Sequence, residues 1–100
     1  MQQYRKNYLK ANRVGEQEKI ICESCNMDYA VDIHHIIFRS HQGTDEESNL
    51  IALCRDCHNM AHSGVIKAKD LQKIANHRIM QRELGNYRGF NYQFKTNNLK

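Results

Sequence analysis

The sequence predicts a small α+β domain closed around a four-cysteine structural zinc site, with helices flanking that core. Three observations carry the prediction. Cys22-Glu23-Ser24-Cys25 and Cys54-Arg55-Asp56-Cys57 are two C-x-x-C pairs, with no cysteine left over. The stretches that lead away from the first pair and into the second are short and rich in Val, Ile, Leu and Tyr, as strands are. The chain has 100 residues and a mean hydropathy of −0.80, enough for one domain but with little apolar material to bury. A bound metal would supply stability that so small a core lacks.

Residues 2–13 predict a helix with Tyr4, Tyr8 and Ala11 on one face and Gly15 placed to end it. Glu16 to Ile21 leads into the first cysteine pair, and Asn26 suits the turn after it. Met27 to Ile37 reads as extended. Arg39 to Ser48 is polar, contains Gly43 and the acidic run Asp45-Glu46-Glu47, and reads as a loop. Asn49 to Leu53 is a short apolar strand delivering the chain to the second cysteine pair. A helix then runs from about Arg55 to Gly64. Asp70 is placed to cap a last helix reaching Leu84, with Leu71, Ile74 and Ala75 buried and Gly85 as its stop. Phe90, Tyr92 and Phe94 alternate in the tail and suggest a strand edge. The whole of 1–100 reads as one domain: a core at about 20–65, a C-terminal helix at about 70–84 and a tail over 85–100.

The formal charge of +4 is unevenly spread. Arg5, Lys6, Lys10 and Arg13 stand in the first fifteen residues with no acid among them. Arg88, Lys95 and Lys100 do the same at the other end. Basic ends around a metal-rich centre suit a polyanionic partner. The first residues, MQQYRKNYLKANR, have no apolar core, so no signal peptide is expected. No run is long enough to span a bilayer. The expectation is a cytoplasmic protein whose thiols ligate zinc rather than form disulfides.

Cys22, Cys25, Cys54 and Cys57 make a closed tetrahedral ligand set. Twenty-eight residues lie between the pairs, more than a zinc ribbon needs, so something else is housed within the loop they close. A second grouping, Cys54, Cys57, His58 and His62 around one ion, leaves Cys22 and Cys25 unused. With the thiols assigned together, His34, His35, His58 and His62 remain. His58 and His62 lie four apart, on one face of a helix. His34 and His35 are adjacent on a strand and point to opposite faces. One of them can therefore join His58 and His62 on a metal while the other does something else. Three protein ligands with open positions are the pattern of a catalytic metal, and a neutral imidazole beside it can take a proton from water.

The pieces His34-His35, Asn49 fourteen residues after His35, His58 nine further on and His62 four beyond resemble the HNH endonuclease family, in its zinc-stapled four-cysteine version. The resemblance spans Cys22 to Gly64. It implies a ββα-metal fold, a β-hairpin packed on a helix with one divalent cation between them. It also implies that His34, His58 and His62 ligate the catalytic cation (Mg²⁺, Mn²⁺ or Ni²⁺), that His35 is the general base, and that Asn49 braces it. Many relatives carry proline soon after the double histidine. This chain has Ile36-Ile37-Phe38 there, which bears on loop shape. The function so implied is hydrolysis of DNA, most simply double-stranded DNA. Arg39 and Arg55 are candidates for the scissile phosphate, and Arg5, Lys6 and Lys10 for the DNA backbone. A homodimer or a larger phage or bacterial assembly is compatible with the sequence. The alternative from another class is a zinc-dependent nucleic-acid-binding module without hydrolysis, for which a base beside an open metal has no use.

Overall fold

The hairpin is the element on which everything else is laid. In the computed structural model, which describes residues 2–85, strand β1 (Asp32–His35) pairs antiparallel with strand β2 (Leu50–Leu53). Asp32 stands opposite Leu53, Ile33 opposite Ala52, His34 opposite Ile51 and His35 opposite Leu50. Every residue of β2 is buried. A strand covered on both faces has no reason to alternate, which is why Leu50-Ile51-Ala52-Leu53 is a continuous apolar run.

The two faces have different covers. Ile33, Leu50 and Ala52 point toward helix α1 (Gln3–Ala11), where Tyr8, Leu9 and Ile20 complete one buried cluster. Ile51 and Leu53 point the other way, onto helices α2 (Arg55–His62) and α3 (Ala68–Glu83), and pack with Ile36, Leu71 and Ala75 around the cysteines. His34 shares its face with Ile51 and His35 shares its face with Leu50, so the period of two sends the histidines into different halves of the molecule. The ββα arrangement of β1, β2 and α2 is thus present, with α1 and α3 flanking it.

Several expected boundaries move. Helix α1 stops at Ala11, short of Gly15, because Asn12 leaves helical geometry and Arg13 takes a left-handed φ of 56°. Asn12 is fully buried and its amide donates to the Tyr8 carbonyl, satisfying one of the helix's last acceptors. Of the extended stretch from Met27, only Asp32–His35 is paired as a strand, and Tyr29 makes a single bridge to Ile21 across the turn at Asn26. The acidic loop ends in a tight turn, Glu47–Asn49. Asp70 is not a cap. Helix α3 begins at Ala68 behind Lys67, which makes no side-chain cap bond, and Asp70 sits in the first turn. There its charge meets the positive end of the helix dipole. Gly43 is required where the loop doubles back, since a Cβ there would collide with the Ile37 carbonyl oxygen. The alternating Phe90, Tyr92 and Phe94 lie outside the described residues. No helix among the described residues is long and apolar enough to cross a membrane.

A buried ion network locks the layers. Arg78 of α3, 2% exposed, donates to both oxygens of Glu23 at 2.9 and 2.8 Å and to Glu47 at 2.6 Å. Glu23 also accepts from the Tyr8 hydroxyl at 2.6 Å and the Ala52 amide at 2.8 Å. Burial pushes the Glu23 carboxyl up, and Arg78, Tyr8 and Ala52 oppose that push. Arg82 extends the network from Glu47 to Asn12 of the α1 terminus. Because Glu23 lies between Cys22 and Cys25, the network ties the first cysteine turn to both flanking helices.

Candidate metal centres and active site

The four cysteines converge. Cys22, Cys25, Cys54 and Cys57 place their sulfurs within 4.8 Å of one another, so the fold brings both C-x-x-C pairs together as one potential ligand set. Thiolates at about 2.3 Å around one tetrahedral zinc stand about 3.8 Å apart. Cys25 and Cys54 sulfurs are 3.8 Å apart. The donor set fits zinc. The turns are prepared for charge: although burial opposes it, the amides of Met27 and Asp28 and the neighbouring thiols pull Cys25 down to about 7. Burial pushes Cys54 and Cys57 up. A cation bound among the sulfurs would favour the ionised forms of Cys54 and Cys57.

The second cluster gathers one ring from β1 and two from α2. His34, His58 and His62 offer ligand atoms within 4.8 Å of one another. The Nε2 atoms of His58 and His62 are 3.0 Å apart, within the spacing of two imidazoles on one ion at about 2.1 Å. Exposure is graded: His34 is buried, His58 half-buried and His62 exposed. Burial first, then the mutual repulsion of His58, His62 and His35, lowers His34 to about 4. Its lone pair stays available at neutral pH. Asp32, on the same face of β1 as His34, takes the Nδ1 side of His58 at 2.9 Å and leaves Nε2 toward the cluster. Phe38 stacks on His62 with ring centres 5.4 Å apart. A cleft of about 290 Å³ lined by His34, Phe38, His41, Lys67 and Leu71 opens beside the cluster.

His35 does not join these three. Its ring lies on the opposite face, 4.6 Å from the Tyr4 ring of α1, and its Nε2 is 2.8 Å from Asp45 Oδ1. Asn49, at the foot of β2, holds the backbone just beyond: its Oδ1 accepts from Ile37 N at 2.8 Å and its Nδ2 donates to the Ile37 and Thr44 carbonyls at 3.0 and 2.9 Å. Arg39 is exposed and its guanidinium grips Asp45 through Nε at 3.0 Å and Nη2 at 2.7 Å. That pairing first, and His35 second, holds the Asp45 carboxyl below the usual carboxylate range. Arg55 is exposed at the start of α2; Lys6 and Lys10 are exposed and Arg5 half-buried on α1.

Asp32, Asp45, Glu23 and Arg78 were not singled out by the sequence. Asp32 was findable, since it lies two residues before His34 on a strand and must share its face. Asp45 and Arg78 reach their partners across 10 and 55 residues, with no periodicity to announce them. Residues 22–64 match the family described as HNH endonuclease. No curated protein and no solved structure matches the chain.

Proposed function

We propose that this chain, a member of the HNH family through residues 22–64, is an endonuclease that hydrolyses DNA phosphodiester bonds with one divalent cation and a histidine general base. The observation that carries the reading is the split of the double histidine. His34 lies with His58 and His62 in a cluster graded from buried to exposed, while His35 stands apart on the other face. A closed structural site has no use for such an open side.

His34, His58 and His62 are the residues that would hold the cation. When bound, it supplies Lewis-acid relief of charge on the phosphoryl and leaving oxygens. His34 is kept neutral by its burial and so stays ready as a ligand. Asp32 keeps the Nε2 of His58 aimed at the cluster. His35 takes the proton from water, a contribution of roughly 10²–10⁴-fold. The water oxygen bonds to phosphorus as the bond to the 3′-oxygen breaks. Asn49 fixes the turn after His35 through its two-way bonds to Ile37. Cys22, Cys25, Cys54 and Cys57 are the residues that would hold a structural zinc, which would join the first turn to α2. Arg5, Lys6, Lys10 and Arg55 meet the DNA backbone. Asp45 uses two of the five N–H donors of Arg39, and the remainder can meet a phosphate oxygen.

The test is incubation of zinc-loaded protein with supercoiled plasmid, with and without Mg²⁺, Mn²⁺ or Ni²⁺, beside His35→Ala. Cation-dependent nicking or linearisation that His35→Ala lacks is expected. Plasmid binding with no cutting under any cation would make this a binding module instead.

A further inference from the structure

His35 is enclosed by groups that the general-base role does not itself account for. Its Nε2 meets Asp45 Oδ1 at 2.8 Å. Asp45 is gripped by Arg39 in a two-pronged pair, so it is an ionised, acceptor-only carboxylate. Arg39 in turn lies over the Tyr4 ring, 5.5 Å from its centre, and Tyr4 packs against His35 at 4.6 Å. Asn7 of α1 donates to the Asp45 backbone carbonyl at 3.0 Å and fixes the loop at that point. Tyr4, His35, Arg39 and Asp45 thus close a ring of contacts on the α1 side of the hairpin, away from the three clustered histidines.

An acceptor-only partner settles where a neutral imidazole keeps its proton. Nε2 must carry the hydrogen to donate to Asp45, so the lone pair stands on Nδ1. Nδ1 has no hydrogen-bond partner among the described residues. We infer that Asp45, clamped by Arg39, is a positioning residue for the reaction. It selects the Nε2–H tautomer of His35 and fixes the ring so that Nδ1 is the atom that accepts the proton of the attacking water. This rests on the nuclease reading above and deepens it. It also gives Arg39 a task besides any phosphate contact, which is to hold the carboxylate that holds the base.

Two readouts test it. The first needs no activity. In zinc-loaded protein at pH 8, long-range ¹⁵N–¹H correlation of the histidine rings should show His35 as the Nε2–H tautomer. Asp45→Ala should convert the single Nε2–H form into a mixture of the two tautomers, with the rest of the spectrum retained. The second is kinetic. Asp45→Ala should lower kcat at least about tenfold, a part of the roughly 10²–10⁴-fold that a general base contributes, with KM for plasmid within about twofold. Asp45→Glu should recover part of the rate, and Arg39→Ala should lower it less than Asp45→Ala. In a His35→Ala background, Asp45→Ala should cost nothing further, because its effect runs through the ring. The inference is overturned if Asp45→Ala keeps the wild-type tautomer and rate while His35→Ala is inactive. It is also overturned if Asp45→Ala cuts faster, which would make the carboxylate a block on Nε2. A His35→Ala variant that cuts at the wild-type rate overturns the general-base role of His35, and with it any role of Asp45 in the reaction. The tautomer measurement then separates a mistaken contact from a mistaken function.

Discussion

The two ligand clusters are built from the same short stretch of chain and differ in what surrounds them. Helix α2 carries Cys57 and His58 side by side, and one residue of helix turns the direction by about 100°. Cys57 points into the apolar cluster of Ile51, Leu53 and Leu71; His58 points to the hairpin and to His62. Three of the four cysteines are buried and sealed. The histidines run from buried His34 to exposed His62. Four soft ligands, three of them buried, suit a closed structural ion, and three imidazoles with one side open suit a metal that keeps positions for water or substrate. Proximity of ligands alone does not separate the two, since both sets fall within the same distance.

The largest effect should come from breaking the four-cysteine set. Cys25→Ser or Cys57→Ser should abolish stable folding, because structural zinc binding is worth about 10–16 kcal/mol in model peptides and is folding energy. Far-UV circular dichroism and a zinc assay check this. His62→Ala should leave the fold and the zinc in place under the same measurements. A folded, zinc-free wild type would erase the distinction.

Next comes the ion network behind the first cysteine turn. Arg78→Met leaves Glu23 and Glu47 without their buried partner. It should cost about 3–5 kcal/mol by urea denaturation. Glu23 sits between Cys22 and Cys25, so the same variant should release zinc to a chelator faster than wild type, while the histidine cluster keeps its geometry.

A smaller effect distinguishes the histidine cluster by pH. His34 is lowered to about 4 in the folded protein, against about 6.5 for an unfolded histidine. As pH falls, the unfolded chain binds the proton first, so stability is lost from about pH 6.5 down to about pH 4. Measured on zinc-loaded protein without a second cation, wild type should lose about 2 kcal/mol more than His34→Leu between pH 7 and pH 5. Protonation of the thiolates is common to both proteins and cancels in the difference.

The smallest expected effect lies on the surface. Each phosphate neutralised adds about 0.9 to the slope of log affinity against log salt. Replacing Arg5, Lys6 and Lys10 together by Ala should flatten that slope for duplex DNA. An unchanged slope would mean that α1 does not touch the nucleic acid, whatever the histidine cluster does.

What the sequence made legible follows the range over which each feature acts. The cysteine pairs, the α2 histidines and the opposed faces of His34 and His35 depend on spacings of one to four residues, and local geometry dictates them. Leu71, Ile74 and Ala75 were readable as buried from helical period; Leu71 and Ala75 are, and Ile74 is half-buried against the same cluster. Helix ends were less so: Asp70 has the chemistry of a cap, yet the chain turns helical before reaching it. Partners across long loops were not legible at all. Asp45 looks like one of three solvated acids, and nothing near it in sequence says that it meets His35 while Glu47 meets Arg78. Arg78 looks like a surface arginine on a helix of weak amphipathicity, and only the tertiary fold shows that it is buried.

Calorimetric titration of a divalent cation into zinc-loaded variants asks directly whether His34 is a ligand and His35 is not. His35→Ala should bind the cation with nearly wild-type affinity, while His34→Ala and His62→Ala, each stripped of one of three ligands, should bind it far more weakly. Plasmid cleavage by His35→Ala should fall at least about a hundredfold despite the retained cation. If His35→Ala loses the cation and His34→Ala keeps it, the two histidines hold each other's roles, and the division of the hairpin into a ligand face and a base face is wrong.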